Sequence, residues 1–269
     1  MNLQGRPTRR LFTFGCSFTK YFWPTWADIV NKQVRPLEYH NTALMGSGNA
    51  YISHSFHLNN IIHNFGPDDL VLICWSNIFR NDWFIDFEWS QEGNVYANTG
   101  KYNSVLHDEL KDPTHYLARD LMNIYSVMNV CEQTGCRYKH LTMVPMFDFV
   151  DDSGLVLFTH QEFDNHNVKH LLNFIRPRLE KSFTEVLGQK VEEKWLGYFP
   201  NNPDWDRHPL PTHHLEYLKT IFYDTDFDSG VIASVEQAES TAVNILDGTE
   251  KDTEKFQQYF EDQEAIELC

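Results

Sequence analysis

The sequence predicts an α/β protein in which a parallel β-sheet carries helices on both faces. Short apolar runs alternate with longer stretches of helical periodicity, and one of these runs, 70–75, is apolar without interruption. An unbroken apolar run is typical of a strand that is buried on both faces of a parallel sheet. Strands and helices that alternate along a chain pair through right-handed crossovers, which place helices on both sides of the sheet. A length of 269 residues allows one such domain and an appendage.

The predicted elements follow this alternation from residue 9 onwards. Gly135 ends the longest helical pattern, and Pro24 is acceptable in the first turn of the first helix. The aromatic, Asn- and Gly-rich segment 83–110 interrupts the alternation of strands and helices, which predicts an insertion or hairpin. The predicted strands are 10–15, 37–43, 70–75 and 138–146, and the predicted helices are 23–33, 48–65, 114–135, 165–187 and 213–222.

The negative charge is concentrated at the C-terminus. The chain carries a net charge of -16, and residues 224–267 contribute thirteen acidic residues and two lysines to it. We therefore predict a domain of residues 1–223 and an acidic tail of residues 224–269. A solvated or partly disordered tail is favoured, although "GVIASVEQAESTAVNIL" has the pattern of an amphipathic helix. The remaining charge of about -5 argues against a basic face for nucleic acid.

Cysteine use and hydropathy predict a reducing, cytoplasmic setting. The five cysteines have no disulfide-framework spacing, so free thiols are expected. No signal peptide and no run of 18 apolar residues is found, which predicts no membrane segment. No metal or other cofactor is expected, because the histidine cluster has no cysteine or carboxylate positioned with it. That cluster comprises His40, His54, His57 and His63.

Polar residues follow each of the first three predicted strands. Ser17 follows the first, a turn with Gly46, Gly48 and Asn49 follows the second, and Asn77 follows the third. In a doubly wound sheet the carboxyl ends of the strands form the ligand crevice. A serine that attacks an ester generates an oxyanion, which backbone N–H groups and an asparagine amide can stabilise. The sequence therefore predicts a serine nucleophile beside an oxyanion hole.

The general base is predicted in the segment "NNPDWDRHPLPTHH". His208 can accept the serine proton, and a carboxylate on the same loop can orient the imidazole. Asp206 is the preferred partner and Asp204 the alternative. His213 and His214 remain open as alternative bases, since both open the next helix.

In this order the motifs resemble those of the SGNH/GDSL hydrolase superfamily, over residues 9–222. The Gly-x-Ser motif at 15–17 matches the family's first block, and 75–78 matches its third. The resemblance implies a three-layer α/β/α, flavodoxin-like fold without a metal, and hydrolysis of esters or thioesters. It also implies the roles of the site residues, which are Ser17 as nucleophile, Gly46 and Asn77 as oxyanion donors with Gly48 next, and His208 with Asp206 as base and partner.

Three features of the sequence depart from the family pattern. Cys16 replaces the family aspartate, which leaves a thiol as an alternative nucleophile. Trp75 replaces a glycine and is expected to crowd the acyl side of the pocket. The spacing of Asp204 and Asp206 from His208 is off by one residue either way.

The residues also allow less specific roles. Ser17 can be read as a turn serine, and Asn77 as a strand-end cap. Arg80 with Asp82 can be read as a surface ion pair or as a contact to a substrate carboxylate or sugar. The aromatic stretches 22–26 and 83–96 fit either a sugar site or core packing.

The expected function is ester hydrolysis through an acyl-enzyme, with O-deacetylation of a carbohydrate as one candidate. The expected partner is a small-molecule or carbohydrate ester, with no nucleic acid and no membrane. The alternatives are acyl transfer and a catalytically weak or inactive module that is attached to a larger assembly through its acidic tail.

Overall fold

A computed structural model describes residues 1–94, 113–146, 149–150, 156–158, 168–188 and 208–246. Within these ranges the strands are β1 (Arg10–Phe14), β2 (Glu38–Asn41), β3 (Asp69–Trp75), β4 (Arg80–Ile85), β5 (Glu88–Asn94), β6 (Arg137–Thr142), β7 (Phe149–Val150) and β8 (Val156–Phe158). The α-helices are α1 (Trp26–Val34), α2 (Asn49–His63), α3 (Pro113–Thr134), α4 (Lys169–Ile175), α5 (Phe183–Leu187), α6 (Pro211–Ile221) and α7 (Ser229–Leu246).

The central sheet is parallel, as the sequence predicts. Its strand order is β2-β1-β3-β6, so β1 and β3 lie side by side in the middle. Beyond β6, Leu179 forms a parallel bridge to His140, which marks a further strand position at that edge. The order is that of doubly wound, flavodoxin-like sheets, in which the chain reverses direction across the sheet beside the first strand.

Two hydrophobic layers cover the sheet, one on each face. Successive side chains of a strand point to opposite faces. On β3, Val71 and Ile73 therefore join one core with α2, α3 and α4, whereas Leu70 and Leu72 join the other with α1, α5 and α6. All seven residues of β3 are buried. The predicted three-layer α/β/α class is thus the observed one.

Two predicted helices have different bounds in the structure. The first helix begins at Trp26, because Thr25 and Asp28 form a capping box that leaves Pro24 outside. The predicted helix 165–187 is wrong as a single element. A 3₁₀ turn at Arg176–Arg178 contains a proline and follows α4, the chain then extends, and a second capping box at Ser182 starts α5.

The predicted insertion 83–110 overlaps a hairpin that β4 and β5 form. Its turn residues Asp86 and Phe87 have φ angles of 51° and 68°. The hairpin lies against α2, where the ring of Trp89 is 5.1 Å from that of His54. Residues 95–112 of the predicted insertion lie outside the described ranges.

The first half of the predicted acidic tail packs on the domain. Helix α7 contacts α6 and α1, and Val231 and Val235 are buried in the same core as β3 and α6. The part of the predicted tail from Phe227 to Ala242 therefore contributes buried side chains to the domain and does not form a solvated appendage. The rest of the predicted tail, 247–269, lies outside the described residues.

The four described cysteines are buried free thiols, namely Cys16, Cys74, Cys131 and Cys136. Within the described ranges, no helix combines the length and the apolar character that a membrane crossing requires.

Candidate active site

Ser17 lies in a tight turn directly after β1. The N–H groups of Thr19 and Lys20 both donate to the carbonyl of Cys16. A Cβ atom on Gly15 would lie 2.8 Å from Thr19 Cβ and 3.2 Å from the carbonyl oxygen of Cys74, so only glycine lets the chain turn here. Ser17 is 4% exposed, and within the described part of the chain it makes no hydrogen bond. Its hydroxyl is therefore not committed to the turn.

The thiol of Cys16 belongs to the core. Its Sγ lies 3.7 Å from Met143 Sδ, and the residue is fully buried in the layer that contains α1 and α6. This placement disfavours Cys16 as the nucleophile, because a nucleophile must reach the substrate.

The glycine turn after β2 is tied to the end of β1. Leu44 N–H and Ser47 Oγ both donate to the carbonyl of Gly15, at 3.2 and 3.1 Å. Gly46 has a φ of 80°, in the left-handed region that glycine adopts without strain. Ser47 N–H donates to the carbonyl of Leu44 within the turn. The turn that precedes α2 is therefore held beside Ser17.

Asp82 determines which N–H group of this turn is available. Its carboxylate accepts from Gly48 N–H at 2.7 Å and from Tyr51 N–H at 2.9 Å, and so caps α2. Burial raises the pKa of Asp82, and these two backbone N–H groups oppose that rise. Among the described residues no hydrogen bond engages Gly46 N–H, which makes Gly46 the better oxyanion candidate of the two glycines.

Arg80 and Asp82 therefore bind the backbone of the glycine turn and do not form the expected surface ion pair. Arg80 Nη1 donates to the carbonyl of Ser47 at 3.1 Å, and Asp82 is the helix cap just described. Both residues position the glycine turn. A Cβ atom on Gly48 would lie 2.9 Å from Arg80 Cβ, so the close approach of the hairpin requires glycine at this position.

Asn77 follows β3 and has one amide atom in use. Its Oδ1 accepts from Phe79 N–H at 2.9 Å, and its carbonyl accepts from Arg80 N–H at 3.2 Å. No hydrogen bond within the described ranges uses Nδ2, and the residue is 8% exposed. The cap and the oxyanion donor are thus compatible roles, because they use different atoms of the same side chain.

Trp75 does not crowd this site, contrary to the expectation from its sequence position. The indole is fully buried in the core with α2 and α3, and Nε1 donates to His140 Nδ1 at 3.1 Å. Burial lowers the pKa of His140 to about 3, so the imidazole stays neutral and can accept this hydrogen bond.

His208 is held against the loop that carries Ser17. Its ring stacks on Tyr21 with the centroids 3.9 Å apart, and it lies 5.6 Å from the ring of Phe18. Trp23 Nε1 donates to the carbonyl of Pro209 at 2.8 Å, which fixes the next residue of the same loop. No hydrogen bond between Ser17 and His208 is present in the described structure.

In the aromatic stretch 22–26, Trp23 and Trp26 are both buried and contribute to packing.

The two alternative bases have structural roles. His213 Nδ1 accepts from Leu210 N–H at 3.2 Å, at the start of its own helix. His214 is 1% exposed, and its ring lies 6.5 Å from that of Phe18 and 5.2 Å from that of Phe183. Burial lowers the pKa of His214 well below its ordinary value, and the neighbouring histidines lower it further. These contacts favour His208 among the three. Both candidate partners, Asp204 and Asp206, lie outside the described residues.

Sequence reasoning did not assign a supporting role to Arg80 and Asp82, and it missed Arg119 and Asp120. Asp82 and Arg80 hold the glycine turn, and a buried pair on α3, Arg119 and Asp120, reaches the loop after β3. The available signal was a charged pair inside the apolar pattern of α3, since such pairs are rarely buried without a partner.

No family model matches the chain, and a search of curated proteins finds no match. Several solved structures are similar. One is a Bacillus subtilis protein at 12% identity with a TM-score of 0.38, which covers 72% of this chain; this chain spans half the length of that protein. Another is a GDSL-like lipase from Bacteroides thetaiotaomicron at 16% identity with a TM-score of 0.41, which covers 80% of this chain and 88% of the lipase.

A third is a catalytic mutant of an acetylxylan esterase from Geobacillus stearothermophilus, at 11% identity with a TM-score of 0.39. That match covers 85% of this chain and 97% of the esterase. The solved structures to which this chain is similar thus include a GDSL-like lipase and an acetylxylan esterase.

Proposed function

We propose that this protein is a serine-dependent ester hydrolase that acts through an acyl-enzyme. The observation that carries the proposal is the convergence of the turns that follow β1, β2 and β3 at the same edge of the sheet. Hydrogen bonds tie the glycine turn to the end of β1 and to Arg80 after β3. Ser17, Gly46 and Asn77 each keep a polar group that no described hydrogen bond occupies.

These groups suit acyl transfer to a hydroxyl. Ser17 Oγ attacks the ester carbonyl carbon while His208 accepts its proton. The C–O bond to the alcohol then breaks, and His208 returns the proton to the departing alcohol. In the second half, His208 accepts a proton from water as the water oxygen attacks the acyl-serine. The bond to Ser17 Oγ then breaks, His208 returns the proton to Oγ, and the acid is released.

The oxyanion donors are Ser17 N–H, Gly46 N–H and Asn77 Nδ2. Such donors are effective because they are fixed before the charge develops. Asp206, with Asp204 as the alternative, orients His208. The contact between serine and base is often long in a free enzyme and shortens only in the complex with substrate. The substrate therefore completes the Ser17–His208 contact in this mechanism.

The proposed substrate is a small ester, with an O-acetylated carbohydrate as the preferred class. Phe22 is 50% exposed, and its ring is 5.0 Å from that of Tyr21, which stacks on His208. An exposed aromatic ring beside the base offers an apolar face to a sugar ring.

The proposal is tested with a fluorophosphonate probe followed by mass mapping of the labelled residue. We expect label on Ser17 and turnover of p-nitrophenyl acetate by the wild type. Ser17→Ala should lose both with an unchanged melting temperature, because the hydroxyl makes no described hydrogen bond. Cys16→Ser is the matched control and should keep both.

Two results would contradict the mechanism. Retained turnover in Ser17→Ala would remove the serine nucleophile. An unlabelled, inactive wild type would instead support the alternative of a structural or binding module that is attached through its acidic tail.

A further inference from the structure

We infer that Asp120 is a positioning residue for the oxyanion donor Asn77, although it lies on α3 and not on any strand-end turn. The inference rests on the proposed function, because it assigns a role within that site. It follows from a chain of hydrogen bonds that links the start of α2, the middle of α3 and the loop after β3.

Asp120 is a fully buried carboxylate with a different donor on each oxygen. Its Oδ2 accepts from Asn49 Nδ2 at 2.6 Å, and its Oδ1 accepts from Arg119 Nε at 2.7 Å. Burial raises the pKa of Asp120 to about 6, and the two donors act against that rise. The carboxylate is thus kept in the core by two specific contacts.

Asn49 passes this constraint to the residue before Asn77. Its Oδ1 accepts from Ser76 N–H at 2.8 Å, and its Nδ2 also donates to the carbonyl of Ser76 at 3.1 Å. An amide can be turned over, which exchanges its oxygen and nitrogen. Since Nδ2 must face the Asp120 carboxylate, Oδ1 is left to face Ser76 N–H. Asp120 therefore selects the orientation of Asn49 that fixes Ser76.

Arg119 holds the other side of the same loop. Its Nη2 donates to the carbonyls of Ile78 and Arg80 at 3.1 and 3.0 Å, and its Nη1 donates to Asn81 Oδ1 at 2.8 Å. Asn77 lies between these two anchored ends. The ion pair of Arg119 and Asp120 connects the anchors, so one buried pair defines where the Asn77 amide is placed.

The buried ion pair of Arg119 and Asp120 is better explained by the geometry it imposes than by the stability it adds. A buried ion pair often stabilises a fold less than apolar side chains of similar volume would, because both charges lose their hydration. Its donors and acceptors do, however, impose directions that apolar contacts do not. An oxyanion donor needs such directions, since a displacement of about 1 Å can cost about 10²-fold in rate.

Asp120→Asn is the informative variant. The asparagine keeps the shape but has one acceptor oxygen, so its NH₂ must face the donor of either Asn49 or Arg119. We expect kcat for p-nitrophenyl acetate to fall by about 10-fold to 10²-fold with little change in KM. If Asp120 acts through Asn77, the same change in an Asn77→Ala background should cost no more than about 2-fold.

Asp69→Asn is the matched control. Asp69 is also a buried carboxylate, and it is paired with Arg10 at 2.7 Å, but it begins β3 at the opposite end from Asn77. It should lower the melting temperature and leave kcat unchanged. Equal losses of kcat from Asp120→Asn with and without Asn77 would overturn the inference, since a merely structural residue would behave in that way.

Amide hydrogen exchange provides a readout that does not need activity. Exchange at residues 76–81 should become faster in Asp120→Asn and not in Asp69→Asn, and unchanged exchange there would overturn the inference. A wild type without esterase activity removes the proposed function, while the exchange result still decides whether Asp120 fixes the loop. If Asp120→Asn does not fold, Asn49→Ser takes its place in both the kinetic and the exchange measurement. Asn49→Ser removes the hydrogen bond between Asn49 and Asp120 and leaves the ion pair of Arg119 and Asp120 intact.

Discussion

At the scale of single residues, the amide of Asn77 divides its two ends between structure and chemistry. Oδ1 caps the turn by accepting from Phe79 N–H, whereas no described hydrogen bond uses Nδ2. Ser17 is similar in that the turn does not depend on its side chain. Gly15 allows the tight turn, and the Ser17 hydroxyl makes no hydrogen bond within the described structure. Substitutions that separate the two ends of the amide therefore give the most information.

Asn77→Asp should separate the cap from the oxyanion donor. The aspartate keeps an oxygen for Phe79 N–H but has no N–H to donate and places a charge beside the developing oxyanion. We expect kcat to fall by about 10²-fold or more with little change in KM, as for the loss of one oxyanion donor. Steady-state kinetics with p-nitrophenyl acetate measures this.

Asn77→Ala is the companion variant, because it removes the cap as well as the donor. It should lose kcat similarly and also melt at a lower temperature than Asn77→Asp. If Asn77→Asp keeps the wild-type kcat, Asn77 is only a strand-end cap.

His208 should give the pH profile of kcat/KM its acidic limb. A histidine base works only when it is unprotonated, so the rate falls as the pH falls. His208→Ala should abolish most activity and remove the limb. His214→Phe, which keeps an aromatic ring in contact with Phe18 and Phe183, should retain the acidic limb, because burial already keeps His214 neutral.

Stability must be measured at each pH of this profile. The pKa values of His214 and His140 are lowered in the folded state, so the unfolded chain binds more protons below the ordinary histidine pKa of about 6.5. Stability therefore declines as the pH falls through that value. A limb that follows the melting curve, or one that persists in His208→Ala, would contradict the assignment of His208.

At the scale of elements, helix termini are capped by residues from distant segments. Asp82 of β4 caps α2, and Glu239 of α7 accepts from both the N–H and the hydroxyl of Thr212 in the first turn of α6. A carboxylate at a helix N-terminus satisfies N–H groups that have no partner within the helix. Helix α7 thereby supports α6, the helix that follows the His208 loop.

Glu239→Ala should lower the free energy of unfolding by about 1–2 kcal/mol, since it removes hydrogen bonds to a charged acceptor. Glu236→Ala is the matched control, because Glu236 is exposed on the same helix and should leave stability nearly unchanged. Urea titrations of both variants measure the difference. Equal stabilities would show that α7 does not support α6 through Glu239.

At the scale of the whole molecule, the sheet separates two cores, and the C-terminal helix belongs to one of them. Phe227, Val231 and Val235 are buried with α1 and α6. The N-terminus also meets this region, where Leu3 N–H donates to Thr225 Oγ1 at 3.0 Å. The first half of the predicted tail is therefore packed on the domain, although the negative charge of the tail predicts a solvated segment.

Truncation after Tyr223 should destabilise the protein strongly. It removes Phe227, Val231 and Val235, and a large apolar side chain contributes about 1.5–3 kcal/mol when it is fully buried. Truncation after Leu246 should leave the melting temperature near that of the full chain. Thermal unfolding of both proteins measures this, and equal melting temperatures would place the end of the packed domain at residue 223, as the sequence alone suggests.

The sequence by itself determined the order of the elements and the positions of the polar strand ends. Periodicity and apolar runs are local, and they identified β1, β3, α2 and the long helix α3 within a few residues. The same local patterns placed Ser17, Gly46 and Asn77 at the ends of neighbouring strands, because parallel strands all direct their carboxyl ends to one edge.

The tertiary structure decided which atoms of these residues remain available. Asp82 engages Gly48 across 34 residues, Trp75 turns to His140 across 65, and Asp120 reaches Asn49 across 71. Local patterns contain no signal for such pairs, since each depends on how helices and strands pack after they form. For the same reason the sequence assigned α7 to a solvated tail. Its charge is a property of composition, whereas its packing depends on a buried stripe that only the docked partners α1 and α6 define.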